Sequence, residues 1–425
     1  MDYAEGGRYN IQDLACYGVG LADKREILAF ARAHQDDDTA RLLLSAARYP
    51  LIDMSAAVQQ IEGLRTAREK WPSLLECEEF LYPPRLNREQ ASSEATARYK
   101  ATIAGSTGHV ADLTGGMGVD SLAFARVAEH VDYVERDSEL CSLMEHNCKA
   151  LGQGNVDVHC ADSMEWLAGQ EPYDLLYIDP ARRSAAGRKV AAFEDCTPDL
   201  LQHLDLLRSK GRRLLIKASP MIDITLALRQ LGAVGEVHIV ALHGECKEVL
   251  FLCEECGGNP TIHCLDLKDP KDLKDPKDFK DFKDFTFSPA EEASAEAVYC
   301  AAVDRYLYDP HAALRKGGCF RLLSQRYGLP LLAPNTHLYT SPSLLPDFPG
   351  RIFEVLQEVP LNRKALKEFL PDGKAHVVVR NFPAEAAVLQ KRLGLKEGGD
   401  LFVIATTVGR RRTGFLCRFC LPPTA

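Results

Sequence analysis

The sequence predicts an α/β protein: an open, mostly parallel sheet wrapped by helices, preceded by a helical region and followed by small α+β modules. Seven short β-rich runs, at 109–114, 131–135, 156–161, 173–179, 213–218, 236–242 and 248–252, alternate with helical stretches such as 121–128 and 139–151. Strands joined by helical crossovers build a doubly wound sheet. The last two runs are separated only by His243-Gly244-Glu245. A parallel crossover needs about a dozen residues, so this final pair is antiparallel.

Residues 1–88 lack the alternation. Ile27, Leu28, Phe30 and Ala31, then Leu42, Leu43 and Leu44, fall at helical spacing, with prolines 50, 72, 83 and 84 as punctuation. No chemistry is visible there, and the expected role is a lid, a platform or a substrate-recognition module. The sheet domain spans 89–258. A low-complexity tract at 259–286 repeats Lys and Asp with nearly cancelling charge and reads as a linker. Two small α+β units come after it, at 287–350 and 351–425. The second carries strand-like runs at 374–380 and 401–407 and helical runs at 363–370 and 384–393.

Composition narrows the function. A hydrophobic content of 46% and a charged content of 26% suit a globular protein. No run is long and apolar enough to span a bilayer, and residues 1–12 lack the apolar stretch of a secretory signal. A cytoplasmic protein with no membrane partner is expected. The 14 cysteines are scattered and read as reduced, buried thiols. Cys253/Cys256 and Cys417/Cys420 have metal-like spacing. However, Cys253 continues the apolar run 249–252 as a strand residue would, so no metal is expected. A net charge of −9 opposes non-specific nucleic-acid binding by the whole surface. A local basic groove could still come from Arg182, Arg183, Arg188 and Lys189, or from Arg410, Arg411 and Arg412.

The loop Asp112-Leu113-Thr114-Gly115-Gly116-Met117-Gly118 closes the first strand. Gly116 and Gly118 let the backbone turn tightly and approach a ligand. A dinucleotide fingerprint would need glycine at 121, where the chain has serine. Glu135 ends the second strand, where ligands of open α/β sheets bind, and can accept both hydroxyls of a ribose. Asp162 and Ser163 come after the third strand, where a side-chain acceptor can take an adenine amino group. Any one of these acids could be a helix N-cap, but acids at successive strand ends point to a nucleoside cofactor. With the antiparallel final pair, a feature of class I methyltransferases, the set favours S-adenosylmethionine (SAM) over a nicotinamide. The cofactor-binding set is Asp112, Thr114, Gly116, Gly118, Glu135, Asp162 and Ser163.

The fourth strand ends Asp179-Pro180-Ala181-Arg182-Arg183. Amino-methyltransferases place Asp/Asn-Pro-Pro-aromatic at this point, where the acid and adjacent carbonyls hold the target amine. Asp179, Pro180 and Arg182 are therefore the expected catalytic set. Arg182 stands where a ring would stack, though a guanidinium plane can stack on a base. Asp-Pro-Pro-Arg also occurs in RNA uridine C5-methyltransferases, which need a cysteine nucleophile after the fifth strand. Here that position reads Lys217-Ala218-Ser219-Pro220-Met221, so covalent C5 chemistry is not expected.

The segment 90–100, the loop 112–118, Val134-Glu135-Arg136-Asp137 and the stretch 177–183 together resemble the bacterial class I methyltransferases with a THUMP-like domain, a family typical of Bacteroidetes and assigned to RNA methylation. Tyr306-Leu307-Tyr308-Asp309-Pro310 and Val379-Arg380-Asn381-Phe382-Pro383 are similar to that family's later modules. The resemblance implies a Rossmann-like seven-stranded sheet, a ferredoxin-like module at 287–350, a THUMP-like domain at 351–425, SAM as cofactor and RNA (rRNA or tRNA) as partner. A more distant likeness joins small-subunit rRNA guanine-N2 methyltransferases through Asp112, Thr114, Gly116, Gly118, Asp120, Glu135-Arg136 and Asp179-Pro180, with Arg182 departing from their aromatic. The expected activity is methyl transfer to a base nitrogen of RNA. The alternatives are a non-catalytic SAM- or RNA-binding module, and methyl transfer to a protein or small molecule.

Overall fold

The computed structural model describes residues 21–182, 193, 196–254, 258–267 and 284–420. They divide into two compact units, the first made by the chain up to Ala233 together with Phe251–Cys256, and the second by most of the chain beyond Ala233.

The first unit opens with helices α1 (Leu21–Ala33), α2 (Thr39–Leu44), α3 (Met54–Lys70), α4 (Arg85–Gln90) and α5 (Glu94–Ala104). In α3, Asp53 caps the first turn by accepting from Ala56 N, and the helix stops at Trp71 because Pro72 comes next. Its buried face is Met54, Ala57, Val58, Ile61, Leu64 and Ala67, the three-and-four spacing of an amphipathic helix. Most of those side chains join Trp71, Phe80, Tyr82 and Met117 in one core. Met117 lies inside the glycine loop, so the N-terminal helices pack against that loop.

Alternating strands and helices come next: β1 (Thr107–Asp112), α6 (Val119–Phe124), β2 (Ala128–Glu135), α7 (Ser138–Leu151), β3 (Val156–Cys160), α8 (Ser163–Ala168), β4 (Tyr173–Ile178), the short β5 (Ala181–Arg182) and β6 (Cys196–Thr197), α9 (Leu204–Lys210), β7 (Gly211–Ala218) and α10 (Ile224–Leu231). β1 pairs in parallel with β2 and β4, β2 with β3, and β4 with β7. Buried on both faces, β4 reads as the apolar run Leu175-Leu176-Tyr177-Ile178.

The second unit begins with β8 (Val234–Leu242) and β9 (Glu245–Cys253). His243 (φ 54°) and Gly244 (φ 77°) form the two-residue connection, the left-handed pair of a tight hairpin turn, so these strands run antiparallel as expected. β10 (Thr261–Leu267) and β11 (Phe285–Phe287) extend the sheet to nine strands in the order β11-β10-β8-β9-β7-β4-β1-β2-β3. Sequence reading stopped at seven and assigned Thr261–Leu267 and the first two residues of β11 to the linker at 259–286. Thr261–Leu267 is instead a strand with Ile262, Cys264, Leu265 and Leu267 buried, whose apolar pattern the neighbouring Lys/Asp repeats obscured. Residues 268–283 of the tract lie outside the described residues.

The remaining chain forms α11 (Pro289–Ser294), β12 (Tyr306–Pro310), α12 (Ala312–Gly317), α13 (Phe320–Tyr327), β13 (Tyr339–Ser341), β14 (Gly350–Val359), α14 (Arg363–Phe369), β15 (His376–Val379), α15 (Ala386–Leu393), β16 (Leu401–Val408) and β17 (Arg411–Cys420). These strands make one six-stranded sheet, β13-β12-β14-β17-β16-β15. The two small units read from the sequence therefore share a sheet. Asp309, fully buried at the end of β12, is their joint: Arg380 Nε and Nη2 donate to it at 2.9 and 2.8 Å, Arg351 at 2.6 Å, and Arg315 at 3.4 Å. Burial by itself would raise the Asp309 carboxyl, but the guanidiniums, Arg380 first, hold it below the usual range. Asp309 and Arg380 belong to the two separate motifs that carried the resemblance in this half of the chain.

Candidate functional site

Because β1 to β4 are parallel, their carboxyl ends share one edge of the sheet, where open α/β sheets bind ligands. Asp112 ends β1, Glu135 ends β2, Asp162 comes just after β3 and Asp179 just after β4. The sequence-derived acids therefore all stand on that edge of the first unit.

Asp112 is turned inward. Its Oδ1 accepts from Thr114 N at 3.1 Å and its Oδ2 from the Ser121 hydroxyl at 2.5 Å. Burial pushes this carboxyl up to about 7. Its function is to close the loop onto α6, and Ser121 is required for that bond. The serine that spoils a dinucleotide fingerprint is thus part of the loop's own design.

Gly116 (φ 53°) and Gly118 (φ 83°) occupy left-handed backbone, which only glycine adopts without strain. A Cβ on Gly115 would lie 2.2 Å from Tyr133 Cε2, and one on Gly118 2.3 Å from Met144 Sδ. The loop is pressed against β2 and α7, and Tyr133 OH fastens it by donating to Gly116 O at 2.7 Å. A Cβ on Gly116, by contrast, would meet only Thr114 O at 3.8 Å, so the loop is open on that side.

Glu135 borders this opening. Its Oε1 accepts from Arg136 N (2.8 Å) and Asp137 N (3.0 Å), and its Oε2 from Gly116 N (3.0 Å). The carboxylate is half-exposed. Asp162 caps α8, its Oδ1 accepting from Met164 N (3.0 Å) and Glu165 N (3.1 Å), and Ser163 begins that helix. Capping leaves Oδ2 for a ligand.

At β4 the Asp179 backbone N–H donates to Thr114 Oγ1 at 2.7 Å, which ties the Asp-Pro corner to the glycine loop. The Asp179 side chain pairs with Lys217 Nζ. Sequence reading passed over Lys217 while looking for a cysteine. The register of the folded sheet makes the pairing: β4 and β7 are parallel with Ile178 opposite Ile216, so one further step places Asp179 beside Lys217. The Arg182 backbone pairs with Cys196 in the β5–β6 ribbon. Its side chain, and Arg183, Arg188 and Lys189 of the same basic cluster, lie outside the described residues.

Sequence reading also missed a buried polar group behind the loop. Lys100, fully buried on α5, donates to Ser92 Oγ at 2.9 Å and stands 3.1 Å from Asp120 Oδ1. Ser92 and Tyr177 hydroxyls donate to Asp120 Oδ2 at 2.7 and 2.9 Å. Burial would raise the Asp120 carboxyl, but Lys100 and Lys217 outweigh it and hold it low. The segment 90–100 thus supplies the cation that holds the Asp120 carboxyl low at the start of α6.

Comparison with known proteins identifies the family. Residues 306–349 match a ferredoxin-like domain model, and residues 350–418 match a THUMP domain-like model. The crystal structure of a putative methyltransferase from Porphyromonas gingivalis W83 superposes with a TM-score of 0.79 and 31% identity, covering 94% of this chain and 99% of that one. The chain belongs to the SAM-dependent methyltransferases that carry a THUMP-like domain. Proteins named "Uncharacterized S-adenosylmethionine-dependent methyltransferase" in Mycobacterium tuberculosis strains CDC 1551 and H37Rv are each 27% identical over 340 residues, 78% of this chain and 87% of theirs. The enzyme is a methyltransferase and its cofactor is SAM. The strand-end residues fit that cofactor: an open glycine loop stands beside a half-exposed carboxylate, with a second acid on the next strand.

The second unit adds a separate feature, a cleft of ≈ 1070 Å³. Arg351, Arg380, Arg410 and Arg412 line it together with Asn381 and Phe382. Arg411, between two of these, turns away to pair with Glu358. Among the described residues, no helix is long and apolar enough to cross a membrane.

Proposed function

We propose that this enzyme methylates a base nitrogen of RNA, and that its THUMP-like half holds the RNA backbone. The observation carrying the RNA part is the cleft with Arg410 and Arg412 on its wall, beside Arg351 and Arg380, which also hold Asp309. Arginines beside an aromatic ring suit phosphates and unstacked bases, and on a chain of net charge −9 they form a local exception. The cytoplasm, where rRNA and tRNA are modified, is the proposed location.

Each residue of the first unit has a role in this reading. Gly116 and Gly118 let the loop backbone approach the cofactor, Asp112 and Thr114 hold the loop's shape, Glu135 accepts the ribose hydroxyls, and Asp162 with Ser163 meets the adenine edge. Bound SAM supplies an electrophilic methyl group. Asp179 accepts an N–H of the target amine and aims its lone pair, with Pro180 fixing the corner. Lys217 pairs with Asp179 and fixes where its carboxylate stands, and Arg182 stacks on or contacts the base. Catalysis of this kind gains mainly from positioning and electrostatics. The proposed domain limits are 1–88, 89–258, 287–350 and 351–425, with a linker now shortened by β10 and β11.

The test is transfer of tritiated methyl from SAM to rRNA and tRNA from a strain lacking the gene, with nucleoside mass spectrometry of both strains. Label entering only the deletion-strain RNA supports the reading. Asp179→Asn should bind SAM normally yet transfer at least about tenfold more slowly, the loss of one oriented charged hydrogen bond. Arg410→Ala with Arg412→Ala should weaken RNA binding, lower its salt slope by about 2, and leave SAM affinity unchanged. Unchanged nucleoside profiles, with label in protein or a small molecule, would refute the RNA assignment.

A further inference from the structure

Glu236, His238 and His263 form a compact group in the second unit that shares no residue with the cofactor set. Glu236 and His238 are two apart on β8 and so project from one face. His238 stands directly opposite His263 on the parallel strand β10. The two rings stack with centroids 4.5 Å apart and planes 10° apart. α12 covers the other face: a Cβ on its Gly317 would lie 2.8 Å from Cys264 Sγ and 3.3 Å from Ile239 Cδ1.

We propose that Glu236, His238 and His263 bind a divalent transition-metal ion of the zinc type, with Asp284 as the orienting partner of His263. Glu236 Oε2 is 2.9 Å from His238 Nε2 and 3.9 Å from His263 Nε2, and the three ligand atoms all lie within 4.8 Å of one another. Tetrahedral bonds of about 2.0–2.2 Å put ligand atoms roughly 3.3–3.5 Å apart, which these distances bracket. Two imidazoles and one carboxylate form the donor set of open zinc sites, which keep a fourth position for water. Glu236 is 44% exposed, giving the ion a route in, while His238 and His263 are 5% and 19% exposed.

His263 supplies the second line of argument. Its Nδ1 lies 2.6 Å from Asp284 Oδ2, which fixes the Nδ1–H tautomer and leaves the Nε2 lone pair pointing into the cluster. That buried Nε2 has no hydrogen-bond partner among the described residues, and the group nearby is a carboxylate oxygen, itself an acceptor. A cation there gives His263 Nε2 a partner and takes the place of the hydrogen bond between His238 Nε2 and Glu236 Oε2. A carboxylate on the far nitrogen of a ligating imidazole is the usual support of a metal site. His263 lies on β10 and Asp284 just before β11, so the ion fixes the two strands that flank the Lys/Asp tract.

The test uses the full chain, stripped with chelator and titrated with Zn²⁺ and Co²⁺. The expected result is one equivalent bound per chain and a higher melting temperature with Zn²⁺. The Co²⁺ form should show tetrahedral-type visible bands with no thiolate charge-transfer band. His263→Gln should abolish stoichiometric binding, and Asp284→Asn should weaken it about 10–100-fold. Asp157→Asn, at the exposed member of the separate His130–Asp132–Asp157 group, should leave it unchanged. If His263→Gln does not fold, Glu236→Gln at the half-exposed position carries the same expectation. Absence of stoichiometric binding, binding that survives both the His263 and Glu236 substitutions, or a thiolate band would overturn the assignment.

Discussion

Glu135→Gln is the sharpest test of the proposed cofactor site. Glu135 Oε1 accepts from two backbone amides, Arg136 N at 2.8 Å and Asp137 N at 3.0 Å, so the glutamine oxygen must stay there. Its NH₂ then takes the place of Oε2, which stands 3.0 Å from Gly116 N. Donor faces donor, and the ribose hydroxyls lose their charged acceptor. One hydrogen bond to a charged group is worth about 1.5–3 kcal/mol, so SAM should bind roughly 10–150-fold more weakly. Calorimetric titration of the full chain measures this directly, with a thermal melt alongside to show that the variant is folded. At saturating SAM the turnover should recover, because Asp179 is untouched; KM for SAM should rise and kcat should stay within about threefold. A folded variant whose SAM affinity lies within about threefold of wild type, under roughly 0.7 kcal/mol, would refute the assignment of Glu135 to the ribose.

The other predictions concern the framework. Asp112 has its carboxyl raised by burial to about 7 from an ordinary 3.8, so the folded chain keeps a proton that the unfolded chain has lost. That stabilisation is full below about pH 4 and disappears as pH rises to 7, amounting to at most about 4 kcal/mol at 1.4 kcal/mol per pH unit. The stability of wild type relative to Asp112→Asn should therefore fall between about pH 4 and 7 in denaturation curves, and a flat difference would contradict the buried, raised carboxyl. Lys100→Met leaves Asp120 buried without its nearest cation and should cost about 3–5 kcal/mol, read as a lowered melting temperature; an unchanged melt would remove Lys100 from the support of the loop. Arg380→Lys gives up the two-pronged contact with buried Asp309 and should destabilise the second unit by about 1–3 kcal/mol, seen as faster proteolysis between residues 306 and 418.

Local features were legible in the amino-acid order, and long-range ones were not. Alternating runs, the His243–Gly244 turn, the glycine loop and the acids at strand ends could all be read, because strand polarity and turn chemistry are local properties and parallel strands bring their ends to one edge. The sequence by itself therefore determined seven of the nine strands, their antiparallel pair and the row of acids along one edge. Pairings across strands distant in the chain were beyond it. Register alone decides that Lys217 meets Asp179 and that His263 lies over His238, and helix packing decides that Lys100 reaches Asp120. A shift of one residue along a strand would turn each of its side chains to the opposite face. Tertiary structure also decided that the two C-terminal modules share one sheet, since the buried charge of Asp309 is tolerable only where Arg380, 71 residues away, arrives to neutralise it.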